Sequence, residues 1–338
     1  MGAVITGNRE IRLVARPRGT PDESLFELAE SPLAEPAEGQ LLIRNAYISV
    51  DPYMRGRMND VRSYVAPFTL GETMSGGAVG RIESSRNPSW HEGEWVVHML
   101  GWREWSLADG HGLQRVDTSY APVSTALGVL GMPGMTAWWG ITQIGVPSEG
   151  ETVFVSGAAG AVGSAAAQLA SLRGATVVGS AGSSEKIAWL HELGIKAFDY
   201  HAVQPRDGLR ELAPDGIDVY FDNVGGDHLE AAIGAMHPYG RVIACGAISR
   251  YSDVEPEPGP GNLFMLFTKR LTIKGFIVSD HYDRFGEFLA EVGPLVRAGR
   301  LRYHETIVDG IENAPDAFLG LLRGDNIGKM LVKVGPAE

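Results

Sequence analysis

Residues 151–186 read ETVFVSGAAGAVGSAAAQLASLRGATVVGSAGSSEK, and the order of residue types along them decides the fold. A short apolar run, Val153-Phe154-Val155, enters a Gly/Ala turn. A helix of small residues follows, with apolar spacing at Val162, Ala166, Leu169 and Ala170, and a second apolar run, Thr176-Val177-Val178, comes after it. Strand, tight turn, helix and strand make the βαβ unit that binds dinucleotides. In the turn, Gly160 and Gly163 hold the second and third positions of a G-x-G-x-x-G pattern. The second glycine lets backbone approach a pyrophosphate, and the third lets helix and strand pack closely. The first position is Ala158, with Gly157 one residue earlier, so the pattern is imperfect. A helix opening near Ala161 and Val162 aims free N–H groups and the positive end of its dipole at the phosphates.

The end of the second strand chooses the dinucleotide. An NAD site places an Asp or Glu about twenty residues on, where it accepts hydrogen bonds from the ribose 2′-OH. Here the chain runs Gly179-Ser180-Ala181-Gly182-Ser183-Ser184, with no acid before Glu185. Ser183 and Ser184 can donate hydrogen bonds to a 2′-phosphate, and Lys186 supplies a cation. The expected cofactor is NADP(H). The plain alternative for Lys186 is a solvated lysine at the start of the next helix.

Length and charge bound the rest. The 338 residues exceed what one hydrophobic core serves, so two domains are expected. A net charge of −12 argues against nucleic acid or an anionic membrane surface as partner. The single cysteine, Cys245, excludes a disulfide framework within the chain and a site of several thiolates, and it fits a reducing compartment. The N-terminal stretch MGAVITGNREIRL shows neither a signal peptide nor a membrane span, so the expected address is the cytoplasm.

Residues 1–125 read as short strands and loops, with strand-like runs at 41–50, 77–82 and 95–99, and suggest a barrel-like β domain. Between Ala121 and Gly150 the texture becomes small-residue helix. From Thr152 onward, strands at 153–156, 175–179, 197–200, 219–223, 241–245 and 273–277 alternate with helices near 161–173, 185–193, 206–213, 227–236 and 262–269. That alternation means a parallel, doubly wound sheet. A helix over 282–298, a strand at 306–308, a helix near 315–322 and a strand at 329–334 follow, and the last strand is expected to return to the first domain.

Two strand ends in the second domain carry polar residues among glycines: Tyr220-Phe221-Asp222-Asn223-Val224-Gly225-Gly226 and Ala244-Cys245-Gly246-Ala247-Ile248-Ser249-Arg250-Tyr251. Asn223 either bonds a ribose or nicotinamide amide or caps the following turn. Tyr251 is either a phenolic donor near a developing oxyanion or a surface-loop tyrosine. The nine histidines make no metal-ligand spacing, and no G-x-S-x-G turn occurs. Trp138, Trp139, Tyr47, Tyr53 and Tyr64 read as core or pocket wall.

Taken together, several segments resemble one group. They are Ser49-Val50-Asp51-Pro52-Tyr53-Met54-Arg55-Gly56, Gly131-Met132-Pro133-Gly134-Met135-Thr136-Ala137, Ala158-Ala159-Gly160-Ala161-Val162-Gly163-Ser164, Phe221-Asp222-Asn223-Val224-Gly225-Gly226, Cys245-Gly246-Ala247-Ile248-Ser249 with Tyr251, Gly275-Phe276-Ile277-Val278 and Gly324-Asp325-Asn326-Ile327-Gly328-Lys329. In these the chain resembles zinc-independent medium-chain dehydrogenases/reductases of the leukotriene B4 12-hydroxydehydrogenase, prostaglandin reductase and alkenal double-bond reductase type.

The resemblance implies an α/β protein. A GroES-like β-barrel domain (1–125 with 304–338) would accompany a Rossmann doubly wound parallel-sheet domain (126–303), with NADPH in the cleft between them. It implies that Lys186 and Tyr200 hold the 2′-phosphate. Asn223, Cys245 to Tyr251, Phe276, Ile277, Val278 and Asn326 would line the ribose and nicotinamide. Where zinc-dependent relatives carry a ligand-bearing G-H-E segment and cysteines, this chain has Gly71-Glu72-Thr73 and no suitable thiols.

The implied activity is reduction of the C=C bond of α,β-unsaturated ketones or aldehydes by hydride transfer to the β-carbon. Tyr251 would stabilise the enolate together with the nicotinamide ribose hydroxyl, and Tyr53 would stand on the substrate wall. A quinone reductase on the same fold and a non-catalytic NADPH-binding protein are the competing readings. A small unsaturated carbonyl compound is the expected partner, and a homodimer the expected assembly.

Overall fold

The described residues, 7–255 and 258–337 of this computed structural model, form two units. One runs to Leu127 and takes in Glu305–Asn326 and the segment from Met330; the other comprises Gly128–His304 with Ile327–Lys329. The first six residues of the N-terminal stretch read above lie outside the described part.

In the first unit, β1 (Asn8–Leu13) pairs antiparallel with β2 (Phe26–Ser31). Neither strand is legible in the sequence. β1 buries Glu10 beside Ile11 and Leu13, and Arg12 donates to that carboxylate at 2.7 and 2.9 Å, so a buried acid interrupts the apolar alternation. Then come β3 (Leu41–Ser49), a short helix α1 (Tyr53–Arg57), β4 (Ala78–Ser85), β5 (Trp95–His98), β6 (Trp105–Ala108) and β7 (Gln114–Arg115). Strand β3 is the spine, pairing with both β4 and β6, and its register with β4 shifts between Leu42 and Ile43 and again between Asn45 and Tyr47. Shifts of that kind bend a strand.

The second unit starts with α2 (Met132–Trp139), which runs into a π-helical turn at Gly140–Gly145. The small-residue helical texture read between Ala121 and Gly150 is thus divided among a 3-10 segment at Val123–Leu127, α2 and this π-helical turn. A Cβ on Gly140 would meet Phe221 at 2.5 Å, and one on Gly145 would meet Ile243 at 2.6 Å, so the glycines serve close packing rather than a regular helix. Next come β8 (Thr152–Val155), α3 (Ala161–Leu172), β9 (Thr176–Ala181), α4 (Ser184–Glu192), β10 (Lys196–Asp199), α5 (Pro205–Leu212) and β11 (Ile217–Asp222). After them lie α6 (Gly226–Ala235), β12 (Met236–Ala244), α7 (Met265–Lys269), β13 (Thr272–Gly275) and α8 (Phe285–Arg297).

All six strands pair in parallel, in the order β10-β9-β8-β11-β12-β13. Val153, Phe154 and Val155 have no exposed surface, as a strand covered on both faces requires. The switch point lies between β8 and β11, where such sheets bind ligands. Helix α7 begins later than expected because Gly261 and Asn262 are tied to Glu230 instead. Helix α8 begins at Phe285 because a 3-10 segment with a kink at His281 precedes it.

The chain ends with β14 (Glu305–Asp309), α9 (Ala314–Arg323) and β15 (Lys329–Lys333). As expected, β15 pairs antiparallel with β3 and joins the first unit's sheet, β14-β15-β3-β4-β5-β7. The architecture is α/β, a GroES-like β unit and a Rossmann unit. Among the described residues no helix is long and apolar enough to cross a membrane.

Candidate functional site

The Gly/Ala turn follows β8 directly. Gly157 has φ +59°, a left-handed conformation in which an L side chain is strained, so the turn-forming glycine sits one position before the Ala158 that fills the pattern. Ala158 is fully buried, and its Cβ lies 2.7 Å from where a Cβ on Gly179 would sit. At Gly163 a Cβ would stand 2.3 Å from the Gly157 carbonyl oxygen, a backbone atom with no room to yield. Gly160 differs from both. It is the N-cap of α3, and a Cβ there would meet only the Gly157 oxygen, at 3.3 Å. The protein itself does not demand that glycine, whereas a phosphate brought against the first N–H groups of α3, near Ala161 and Val162, would. The Ala159 carbonyl accepts the Gly328 N–H at 2.8 Å, which pins the outer side of the turn.

The next strand end forms a polar corner. Ser183 is the N-cap of α4, its oxygen accepting the Lys186 N–H at 3.3 Å, so the hydroxyl hydrogen can still be donated outward. The Tyr200 hydroxyl stands over Gly182, 2.6 Å from where a Cβ would be, with His201 Nε2 at 3.1 Å from the same point. Burial, then the Asp199 charge, pushes the Tyr200 phenol up, so it stays a neutral donor. Ser183 and the Tyr200 hydroxyl therefore flank one turn, with Lys186 in the first turn of α4, and no carboxylate occurs from Gly182 to Ser184. That donor set fits a phosphate monoester better than a ribose diol.

At the ends of β8 and β11 a buried hub supports the loops that follow. Tyr220 donates to Asp222 Oδ1 at 2.7 Å, and the same oxygen accepts the N–H groups of Val224 and Gly225 at 3.0 and 2.8 Å. Asn223 donates its amide to the Ser156 carbonyl at 2.8 Å while its own N–H reaches Ser156 Oγ at 3.0 Å. The side-chain nitrogen expected for a ribose or nicotinamide is thus holding two strand ends together. The Asp222 carbonyl in turn accepts the N–H groups of Cys245 and Gly246. This hub escapes sequence reading because Ser156 and Asn223 are 67 positions apart.

Beyond the hub lies a cavity of about 1100 Å³ whose walls include Asp222, Cys245, Gly246, Tyr251, Phe276 and Ile277. Ala247 also lines it, whereas Ser249 is committed to the Val224 carbonyl at 2.6 Å and Val278 is buried in the 3-10 segment after β13. Ile248 donates its N–H to the Asn223 carbonyl at 3.2 Å. Tyr251 is pushed up by burial and opposed by a hydrogen bond from the Ala247 backbone, so its oxygen accepts that N–H and its proton points elsewhere. Removal from water pushes the Cys245 thiol up to about 12, which keeps it from being a nucleophile near neutral pH.

Two expected site residues belong to the first unit. Tyr53 opens α1, packs against the core around Met54 and Trp102, and is hydrogen-bonded by Arg57. Arg57 is itself fixed by the Ala66 and Ser75 carbonyls, both at 2.9 Å. Asn326 lies just past the left-handed Gly324 that ends α9, and is 6% exposed.

Comparison with known proteins places this geometry. Residues 9–116 match the family model described as the N-terminal domain of oxidoreductase, and residues 161–293 match the one described as zinc-binding dehydrogenase. The chain is 41% identical over 341 residues to the NADPH-dependent curcumin reductase of Escherichia coli (strain K12), covering 99% of each chain. It is 40% identical over 335 residues to the NADP(+)-dependent 2-alkenal reductase of Nicotiana tabacum, covering 97% of each. The crystal structure of CurA from Vibrio vulnificus in complex with NADPH superposes with a TM-score of 0.92 at 41% identity, covering 97% of this chain and 99% of that one.

Proposed function

The chain belongs to the zinc-independent medium-chain dehydrogenase/reductase family, and from that premise we propose that it reduces the C=C bond of α,β-unsaturated ketones or aldehydes with NADPH. The observation that carries this reading is Tyr251, a phenol in the wall of the Rossmann cavity, its oxygen steadied by the Ala247 N–H. NADPH, when bound, supplies the hydride. In our reading Ser183, Lys186 and Tyr200 hold its 2′-phosphate, the first turn of α3 takes the pyrophosphate, and the loop Cys245 to Tyr251 with Phe276 and Ile277 faces the nicotinamide end.

Hydride addition at a β-carbon throws negative charge onto the carbonyl oxygen. Tyr251 donates a hydrogen bond to that oxygen, its raised pKa keeping the phenol protonated, and a proton from water then reaches the α-carbon to complete the saturated carbonyl compound. The same apolar wall keeps Cys245 protonated, which protects the thiol from alkylation by an electrophilic alkene. Tyr53, braced by Arg57, is assigned to the substrate wall.

The test is NADPH oxidation against enals, cyclic enones, quinones and allylic alcohols, with NADH in parallel and products identified. The expected product is the saturated carbonyl compound; an allylic alcohol with its double bond intact overturns the reading. Replacing Tyr251 with Phe should lower kcat about a hundredfold, the typical cost of one oxyanion donor, with little change in the KM for NADPH. Full turnover in that variant removes Tyr251 from the mechanism.

We also infer a cytoplasmic homodimer. Strand β13 is the edge of the parallel sheet and is exposed along all four residues, beside Phe267 at 74% and Phe264 at 55% exposure. Open strand edges pair readily with another copy. Sedimentation should give twice the chain mass, and a monomer at micromolar concentration contradicts the dimer.

A further inference from the structure

One buried titratable group has no part in the mechanism above. His228, in the first turn of α6, is 6% exposed, and its Nε2 has no hydrogen-bond partner. His98 in the first unit shows what a packing histidine looks like. It is 2% exposed, one ring nitrogen meets Asn45 Oδ1 at 2.9 Å, and the other accepts the Leu100 N–H at 3.2 Å. An orphaned buried nitrogen costs roughly 1–3 kcal/mol relative to a satisfied one, so an apolar ring would suit a purely structural position better.

What His228 does touch is informative. Its ring lies nearly parallel to Phe154, with centroids 6.4 Å apart and planes at 7°, and perpendicular to Tyr200, with centroids 5.3 Å apart and planes at 81°. Phe154 is a fully buried residue of β8 and stacks on Tyr220 at 4.9 Å. The imidazole therefore packs with a rigid, fully buried ring and meets the ring whose hydroxyl stands over Gly182. Edge-to-face aromatic pairs of this kind hold a preferred orientation. Tyr200 is only half-buried and follows β10, the far edge strand of the sheet; besides His228 its ring meets His201, with centroids 4.5 Å apart, and packs on the core around Phe154 and Phe198, so His228 supplies the edge-to-face contact among three supports. Burial also holds the His228 pKa down to about 4, which keeps the ring uncharged and compatible with Phe154.

We propose that His228 is a positioning residue for cofactor selection: its ring is the backstop that sets the Tyr200 hydroxyl over the Gly182–Ser183 turn, so that the preference for a 2′-phosphorylated dinucleotide depends on it. This rests on the assignment of Tyr200 to the 2′-phosphate. His228 acts through Tyr200 and touches no cofactor atom itself. A role confined to stability would weaken NADPH and NADH alike, whereas a backstop for Tyr200 weakens NADPH alone.

The experiment measures kcat and KM for NADPH and NADH in the full-length enzyme and in four variants: Tyr200→Phe, His228→Ala, His228→Phe and the double variant Tyr200→Phe/His228→Ala. We expect His228→Ala to raise the KM for NADPH about fivefold, the scale of one aromatic pair, with the KM for NADH and both kcat values within about twofold. His228→Phe, which keeps a ring, should restore most of the NADPH affinity. The double variant should be no worse than Tyr200→Phe alone, because the two residues act as one device.

Equal losses for the two cofactors, no loss at all, or full additivity in the double variant each overturn the role of His228. If Tyr200→Phe itself leaves NADPH untouched, the assignment of Tyr200 fails instead, and the two failures are told apart by that single variant. Should His228→Ala prove too unstable to assay, His228→Leu fills the volume without a ring and is held to the same expectations.

Discussion

Two turns of the Rossmann unit follow neighbouring strands, and they are held by different means. The turn after β8 is enforced by backbone: Gly163 faces the Gly157 carbonyl oxygen, and Gly157 itself is left-handed. The corner after β9 is enforced by side chains: Gly182 faces the ends of Tyr200 and His201, and its own backbone is not left-handed. Behind the first lies the Ser156–Tyr220–Asp222 hub; behind the second lie two rings in contact. A turn built against backbone cannot change without changing the fold. A corner built against side chains can drift, so on the proposed assignment of the 2′-phosphate to this corner, cofactor preference is separable from folding.

The largest effect should come at the first turn. In Gly163→Ala the new Cβ meets backbone at 2.3 Å, and the helix must move off its strand, at a cost of about 3 kcal/mol. Thermal unfolding should show that loss, and binding of NADPH and NADH should fall together. A variant with wild-type stability and affinity would erase the distinction between the two turns.

At the corner, charge comes before shape. Lys186→Ala removes the cation and should raise the KM for NADPH about thirtyfold, the worth of roughly 2 kcal/mol for a bond to a charged group, while NADH is unaffected and the melting temperature barely moves. An equal loss for both cofactors would show that Lys186 serves α4 and not a phosphate.

These two turns also show what a sequence can carry. The β8 and β9 runs are legible because a parallel sheet buries both faces of its strands, leaving unbroken apolar letters at Val153–Val155 and at Val177 and Val178. The Gly/Ala turn is legible except for its first glycine, which φ at Gly157 places one residue early. Ser183 and Lys186 are legible through the missing acid. Strand β1 is hidden by its buried Glu10, paired with a partly exposed Arg12, and the π-helical turn at Gly140–Gly145 has no periodicity to betray it. The hub and His228 are hidden for another reason. Their meaning lies in pairs 28 to 67 positions apart, such as Tyr200 with His228 and Ser156 with Asn223, and no local pattern encodes such a pair.

The groups behind the two turns titrate in opposite senses. Burial raises the Asp222 pKa, so its contribution to stability is present at acid pH and is lost as pH rises through the folded value. Burial lowers the His228 pKa from 6.5 to about 4, so its contribution is present above 6.5 and is lost as pH falls towards 4, because the unfolded chain takes up a proton that the folded ring refuses. Between pH 7.5 and 5.5 the histidine should cost about 1.4 kcal/mol of stability. Urea unfolding of His228→Phe at both values should show that portion of the acid loss removed. An unchanged acid loss would mean that His228 is protonated in the folded state.

The smallest effect tests the side-chain nature of the corner most directly. In Gly182→Ala the backbone is unstrained, but the new Cβ lies 2.6 Å from the Tyr200 hydroxyl and 3.1 Å from His201 Nε2. Both are ends of side chains, so they can yield, and the fold should survive with a change in melting temperature of a degree or two. The displaced hydroxyl should weaken NADPH about threefold, one moderate hydrogen bond, and leave NADH alone. Placed on Tyr200→Phe, the same substitution should add almost nothing, because the group it displaces is already gone. Additive losses in that pair would mean that Gly182 contacts the cofactor through its own backbone. The two turns would then be alike in kind and differ only in how tightly each is packed.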